Sequence, residues 1–278
     1  KDSWPTLGPK SKKMPQSTDV IVIGAGVIGA AVAFELSKTG RKVLVVDRLP
    51  ASGYGSTSSS AAVVRCHYST IEGASLAWES YHVWKDWSSY VGDRDERGTI
   101  HFLENGCLNF KDESNAFLEP VCEVMDEVGI PYQHWDIKTI AQRMPFLDLR
   151  RFGPPKTPND PSFGKPGTGT IPGGVYFPNA GYVSDPQLAA HNLQIAAENA
   201  GARFIFNTEV TEICLHEGRV QGLKIADGEL FNAPVVVNVG GPNSNQINNM
   251  AGVTKGMRIA NRPLKKEMCY LTAPANIG

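Results

Sequence analysis

The stretch from Asp19 to Leu36, DVIVIGAGVIGAAVAFEL, constrains this chain more than any other. The run from Asp19 to Ile23 is apolar and β-branched, which suits a parallel strand covered on both faces. Gly24, Gly26 and Gly29 follow as G-x-G-x-x-G. The first glycine allows a tight turn, the second lets a diphosphate approach the backbone, and the third lets helix and strand pack closely. The helix that follows turns free N–H groups and its positive dipole end toward that anion. Gly40 is a plausible stop for it. Val43 to Val46 reads as the next strand, and Asp47 ends it at about the 20-residue spacing at which a carboxylate accepts ribose hydroxyls. An acid there favours FAD or NAD over NADP. A glycine turn without a ligand would leave three glycines and an acid in register unexplained.

With 278 residues, 41% hydrophobic and 20% charged, the chain has ordinary globular composition, enough for one large domain or two smaller ones. A net charge of −1 gives no reason to expect nucleic acid or an anionic membrane as partner. No apolar run is long enough to span a bilayer. Lys1 to Thr18 is polar, carries three prolines and lacks a signal-peptide core, so it reads as a tail. Five dispersed cysteines suit a reducing compartment. The expected location is the cytoplasm, or the mitochondrial matrix if the source is eukaryotic. No His/Cys spacing suggests a metal.

Ser56 to Ala62 are all small, and such a segment can run along a flat polar ligand. It passes straight into apolar Val63-Val64, unlike a flexible linker. Arg65 could fork onto a substrate carboxylate, or equally form a structural salt bridge. His67 reads as a packing or hydrogen-bonding residue rather than a base, and Tyr68 is ambiguous. Ile71 to Val91 reads as one amphipathic helix with Ala77, Tyr81, Trp84 and Val91 along its stripe. Thr99–Leu103 and Cys107–Phe110 read as a hairpin across Asn105-Gly106. A helix over Leu118–Val128, whose start Pro120 obscures, a strand over Tyr132–Trp135 and a short helix over Ile137–Met144 follow. No β-α-β alternation runs through this middle region, so it reads as a different kind of domain. Arg151–Gly174, rich in proline, reads as a surface loop: a lid, a subunit contact or a tolerated insertion.

Gly174 to Val183 reads as strand broken at Asn179-Ala-Gly181, and Asp185-Pro186 opens a helix that runs to Asn199. Arg203–Phe206 reads as a strand, and Thr208–His216 with Arg219–Ile225 as a hairpin. Pro234–Val239 is a short apolar strand entering a second glycine turn, Asn238-Val-Gly-Gly-Pro-Asn-Ser244.

Taken together, Gly24-Ala-Gly-Val-Ile-Gly29, Asp47-Arg48, Gly55-Ser-Thr-Ser58, Gly181-Tyr-Val-Ser-Asp-Pro186, Asn207-Thr-Glu-Val210 and Asn238–Ser244 resemble the D-amino-acid-oxidase (DAO) family of FAD-dependent oxidoreductases. Within it the likeness is to the sarcosine oxidase and dimethylglycine dehydrogenase branch. The resemblance implies an α/β fold: a Rossmann-like FAD-binding domain of glutathione-reductase type, with a second domain of β-sheet plus helices for substrate. It implies FAD as cofactor. Gly24, Gly26, Val27, Ile28 and Gly29 would form the glycine turn, Asp47 would hold the ribose and Arg48 would lie near the adenine. Ser56, Thr57, Ser58, Ser60, Ala61, Ala62 and Val63 would line the diphosphate and flavin. Val210 would meet the adenine side and Gly240 would lie beside the cofactor.

Arg65 falls where sarcosine oxidases place an arginine close to the flavin, so it is the first choice for a catalytic or substrate-binding residue. The domains then expected are a tail (1–17), a discontinuous FAD domain (18–92 and 181–260) and an incomplete substrate domain (93–180 and 261–278), with a returning strand over Arg262–Thr272. Family members are considerably longer, so the chain is expected to be C-terminally truncated, a piece of a longer protein. The implied reaction is oxidation of a secondary or tertiary amino acid by hydride transfer to flavin, with a small amino acid or amine as substrate and an electron acceptor or partner subunit to follow. The alternatives are a non-catalytic flavin-binding or assembly protein, and a hydroxy-acid or glycerol-phosphate dehydrogenase on the same fold.

Overall fold

A computed structural model describes residues 16–92, 94–264 and 272. The elements begin with β1 (Gln16–Ser17), β2 (Val20–Ile23), α1 (Val27–Lys38), β3 (Val43–Val46) and β4 (Val63–Val64). Next come α2 (Ile71–Lys85), α3 (Trp87–Val91), β5 (Phe102–Leu103), β6 (Cys107–Phe110), α4 (Glu119–Val128), β7 (Gln133–Trp135) and α5 (Ile137–Arg143). After these stand β8 (Gly174–Phe177), β9 (Gly181–Val183), α6 (Pro186–Asn199), β10 (Arg203–Ile205), β11 (Val210–His216), β12 (Arg219–Ile225), β13 (Leu230–Asn232), β14 (Val235–Asn238) and α7 (Ser244–Met250).

The described chain divides into two compact units. The first holds residues up to Ser59, a short stretch ending at Gly98, and those from Pro186 to Leu264. Its parallel sheet has the order β10-β3-β2-β14, with β2 paired to β3 on one side and β14 on the other. Every residue of β2 and β3 is buried. Ile21, Ile23, Leu44 and Val46 share one core with Val210, Ile213, Leu223 and Phe231 of a second sheet, ordered β1-β13-β12-β11. By strand alternation Val20, Val22, Val43 and Val45 project to the opposite face. There α1 packs on β2 and β3, and α6 packs along α1 and on β10. Both faces of β2 and β3 are therefore covered, which is why these two strands carry no polar residue. Asp95 joins the short stretch to α6: its carboxylate contacts His191 Nδ1 and accepts from Asn192 Nδ2, both at 2.6 Å. Burial opposes ionisation of Asp95, but hydrogen bonds from the Arg97 N–H, His191 and Asn192 outweigh it and lower its pKa.

The second unit holds Ser60–Gly92 and Thr99–Asp185. Its two three-stranded sheets have the orders β4-β9-β5 and β6-β8-β7. Tyr81, Met125, Ile130, Val175 and Phe177 centre its core, and α2 packs on α4. The division differs from the expected boundary at Gly92. Val63 and Val64 pair with Tyr182 and Gly181, and α2 packs on α4, so residues from Ser60 on go with the middle region.

Three local expectations change. The hairpin over residues 99–110 does not form: β5 pairs with β9 and β6 with β8, although Asn105-Gly106 does turn, with Gly106 at φ +75°. The helix over 71–91 breaks at Asp86 into α2 and α3. Two strands, β1 and β13, were not expected; they pair with each other in parallel. Most of the expected tail and of the returning strand Arg262–Thr272 lies outside the described residues, and Arg262–Leu264 is irregular.

Candidate cofactor site

In the first unit the glycine turn leaves β2 under firm backbone control. Gly24 sits at φ +113° and its N–H donates to Val46 O at 2.9 Å. A Cβ on Gly24 would lie 2.5 Å from Val239 O, and one on Gly29 would lie 1.8 Å from Gly24 O. Both glycines are thus required by the protein's own packing. Gly26 differs: a Cβ there would meet only Thr57 Oγ1, at 3.2 Å. The space over Gly26 is open, as a backbone approached by a diphosphate must be. Gly26 is also the residue before α1 and has no side chain to cap it, so of the N–H groups at that end Val27's meets Thr57 Oγ1. The cradle therefore fits a dinucleotide on its own geometry.

Neighbouring side chains brace this turn. Asp47 Oδ2 accepts from Ala25 N at 2.6 Å and Oδ1 from Leu49 N at 2.8 Å. Thr57 Oγ1 accepts from Val27 N at 3.1 Å. Gly53 N donates to Ala25 O, and Ser58 N to Gly53 O, so the loop bearing Ser56 and Ser58 folds back on the turn. Thr208 N donates to Asp47 O and Asn207 N to Leu49 O, which runs the segment leading to Val210 beside Asp47 and Arg48. Val210 opens β11 with its side chain buried, and Arg48 is exposed. Ile28, at the helix start, is 65% exposed. Gly240 belongs to the second glycine turn, whose Val239 closes on Gly24. The first unit thus gathers Gly24, Gly26, Val27, Ile28, Gly29, Asp47, Arg48, Thr57 and Gly240 around one turn.

Asp47→Asn is expected to cost about 1.5–3 kcal/mol, because both N–H groups would lose a charged acceptor and one of them would face an NH2 group instead. A urea titration of the apoprotein checks this; an unchanged midpoint would mean the carboxylate braces nothing.

Ser60, Ala61, Ala62, Val63 and Arg65 belong to the second unit. Ser60 Oγ accepts from Ala62 N at 3.0 Å, and Ala62 is held at φ +54°, where a residue with a Cβ is strained. Val63 is 61% exposed. Arg65 is exposed and lies over the Tyr68 ring at 4.9 Å; among the described residues it has no carboxylate partner. The next two side chains point inward. The Cys66 thiol contacts Asn179 O and Ala77 O, and burial pushes its pKa up to about 11. His67 stacks on Phe177 at 4.0 Å with neither ring nitrogen hydrogen-bonded among the described residues. Burial, helped by the Arg65 charge, pulls its pKa down to about 4, so the ring is neutral and packs.

Two features escaped the sequence reading. Tyr81 was placed on an apolar stripe, yet its hydroxyl bonds the Glu104 carboxylate and accepts from Asn179 Nδ2 at 2.9 Å and Lys85 Nζ at 3.2 Å. The Asn238 side chain had only one signal: an asparagine two residues before a Gly-Gly pair favours local turn bonds.

The family profile described as FAD dependent oxidoreductase (DAO) matches residues 19–277. An N-methyl-L-tryptophan oxidase of Yersinia pestis (strain Pestoides F) is 25% identical over 227 residues, covering 80% of this chain and 53% of that protein. This chain thus spans about half the length of the N-methyl-L-tryptophan oxidases it matches. Among solved structures, an L-proline dehydrogenase from P. horikoshii superposes with TM-score 0.71 at 23% identity, over 87% of this chain and 57% of the other. A glycine oxidase from Geobacillus kaustophilus gives TM-score 0.68 at 25% identity, over 85% and 59%.

Proposed function

Because this chain belongs to the DAO family of FAD-dependent oxidoreductases, we propose that the protein oxidises the C–N bond of a secondary or tertiary amino acid, of the sarcosine or dimethylglycine kind. The observation that carries the reading is the turn in which Gly24 and Gly29 are closed by backbone while Gly26 stays open. When bound, FAD supplies a two-electron acceptor for the hydride on the carbon beside nitrogen. The chain's own residues do the rest. The start of α1 offers N–H groups to the diphosphate. Asp47 braces the turn through Ala25 and keeps lone pairs for ribose hydroxyls. Arg65, exposed and without a carboxylate partner among the described residues, is the group to fork onto a substrate carboxylate. The oxidised product is an imine, or an iminium ion from a tertiary amine, which water hydrolyses to an amine and a carbonyl compound. The likeness to an N-methyl-L-tryptophan oxidase supports an N-alkylated amino acid as substrate.

The test is anaerobic addition of N-methyl and N,N-dimethyl amino acids, with hydroxy acids alongside, to the full-length holoprotein. Bleaching of the flavin's visible band by an N-alkyl amino acid is the expected result. Bleaching by hydroxy acids alone, or by nothing in the panel, overturns the proposal.

A further inference from the structure

The second glycine turn has its own lock. Asn238 ends β14, where it pairs with Ile23 of β2. Its Oδ1 accepts from Gly240 N at 3.2 Å, and its Nδ2 donates to Ser244 O at 2.9 Å and to Asn248 Oδ1 at 2.7 Å. The orientation of the amide follows from chemistry: Gly240 N can only donate and Ser244 O can only accept. Asn248 is tied in turn to Met257, with Nδ2 3.5 Å from the sulfur. One side chain thus joins the strand end, the turn and α7.

What this lock holds in place is Val239. Its N–H donates to Ile23 O at 3.1 Å. Its carbonyl oxygen stands 2.5 Å from where a Gly24 Cβ would be, and its Cγ2 stands 3.1 Å from the corresponding point on Gly29. The two glycine turns are therefore in van der Waals contact, and the position of the second sets how the first can sit.

We propose that Asn238, held by Asn248, is a positioning residue for the cofactor: it fixes the Val239–Gly241 turn against Gly24 and so sets one wall of the diphosphate crevice. The inference rests on the FAD reading of the first glycine turn. It concerns binding, and no step of the chemistry passes through Asn238.

The test is a titration of FAD into the full-length apoprotein, read by flavin fluorescence, together with thermal melting of each apoprotein. Asn238→Ala removes three hydrogen bonds and is expected to raise the Kd for FAD about tenfold or more. Asn248→Ala removes one of them and is expected to weaken binding about threefold to tenfold. Asn248→Asp keeps the oxygen that accepts from Asn238, so it is expected to bind within about twofold of wild type. This rescue isolates the bond to Asn238 from the contact to Met257, which Asp and Ala both lose, and FAD affinity lost without a matching fall in the apoprotein's melting temperature separates positioning from general stability.

Should Asn238→Ala fail to fold, the Asn248 pair decides. FAD binding by Asn238→Ala or Asn248→Ala within twofold of wild type, or equal losses in Asn248→Asp and Asn248→Ala, overturns the inference. A wild-type protein that takes up no FAD overturns the cofactor reading and this inference together, so the two failures are distinct.

Discussion

Gly26→Ala is expected to leave the protein folded and to remove tight FAD binding. Gly26 has an ordinary backbone conformation at φ −67°, and an added methyl meets only the hydroxyl of Thr57 at 3.2 Å. That hydroxyl can shift by a few tenths of an ångström, so the apoprotein should lose little stability. The methyl would nevertheless stand where the diphosphate must touch the backbone. Losing two charge-assisted hydrogen bonds there is worth roughly 3 kcal/mol or more, about a hundredfold in Kd. Circular dichroism melting of the apoprotein and an FAD titration check the two halves separately. Retained tight binding would show that no ligand approaches at Gly26.

Gly29→Ala is expected to fail at the earlier stage. Its Cβ would lie 1.8 Å from Gly24 O and 2.9 Å from Gly24 C, so only backbone can move. Overpacking of this kind costs about 3 kcal/mol or more, out of a total stability on the order of 5–15 kcal/mol. The melting temperature should fall sharply, or the protein should be recovered insoluble, with or without added FAD. A variant that melts with the wild type would mean that α1 and β2 can separate without penalty. On these expected results, two neighbouring glycines of one motif separate into one required by the fold and one that we propose serves the ligand.

That distinction was half legible in the sequence. The strand–turn–helix run, Asp47 and the second glycine turn are local signals, and each sits where its residues indicate. The resemblance implied Thr57 along the diphosphate and flavin, and the structure adds a specific bond to Val27. What the sequence hid is long-range. Asn105-Gly106 looks like a hairpin turn, but Gly106 N donates to Ala180 O, and the strands on either side find partners in β9 and β8 instead. A turn signal says that the chain reverses; it carries no information about which edge is free. The break at Asp86 was hidden for a different reason: the apolar spacing continues through it, while the backbone leaves helical geometry at φ −115°, ψ 47°. Tyr81 hid its polar end because periodicity records which side of a helix is buried and not what the hydroxyl finds there. Arg65 was visible as a candidate from its place in the chain and His67 as a packing residue, whereas the burial of Cys66 beside it, on irregular backbone past the end of β4, had no periodic signal to show it.

The parallel sheet also has a consequence for synthesis. Translation delivers β2, with β3 soon after to cover one side, whereas β14, which covers the other, follows only after Ser60–Asp185 and the strands β10 to β13 have been made. Until then a short, wholly apolar strand presents an open row of peptide groups to whatever lies nearby. A nascent protein in that condition is a natural client for chaperones, and the strand that finishes the cradle is also the one that ends its exposure to aggregation.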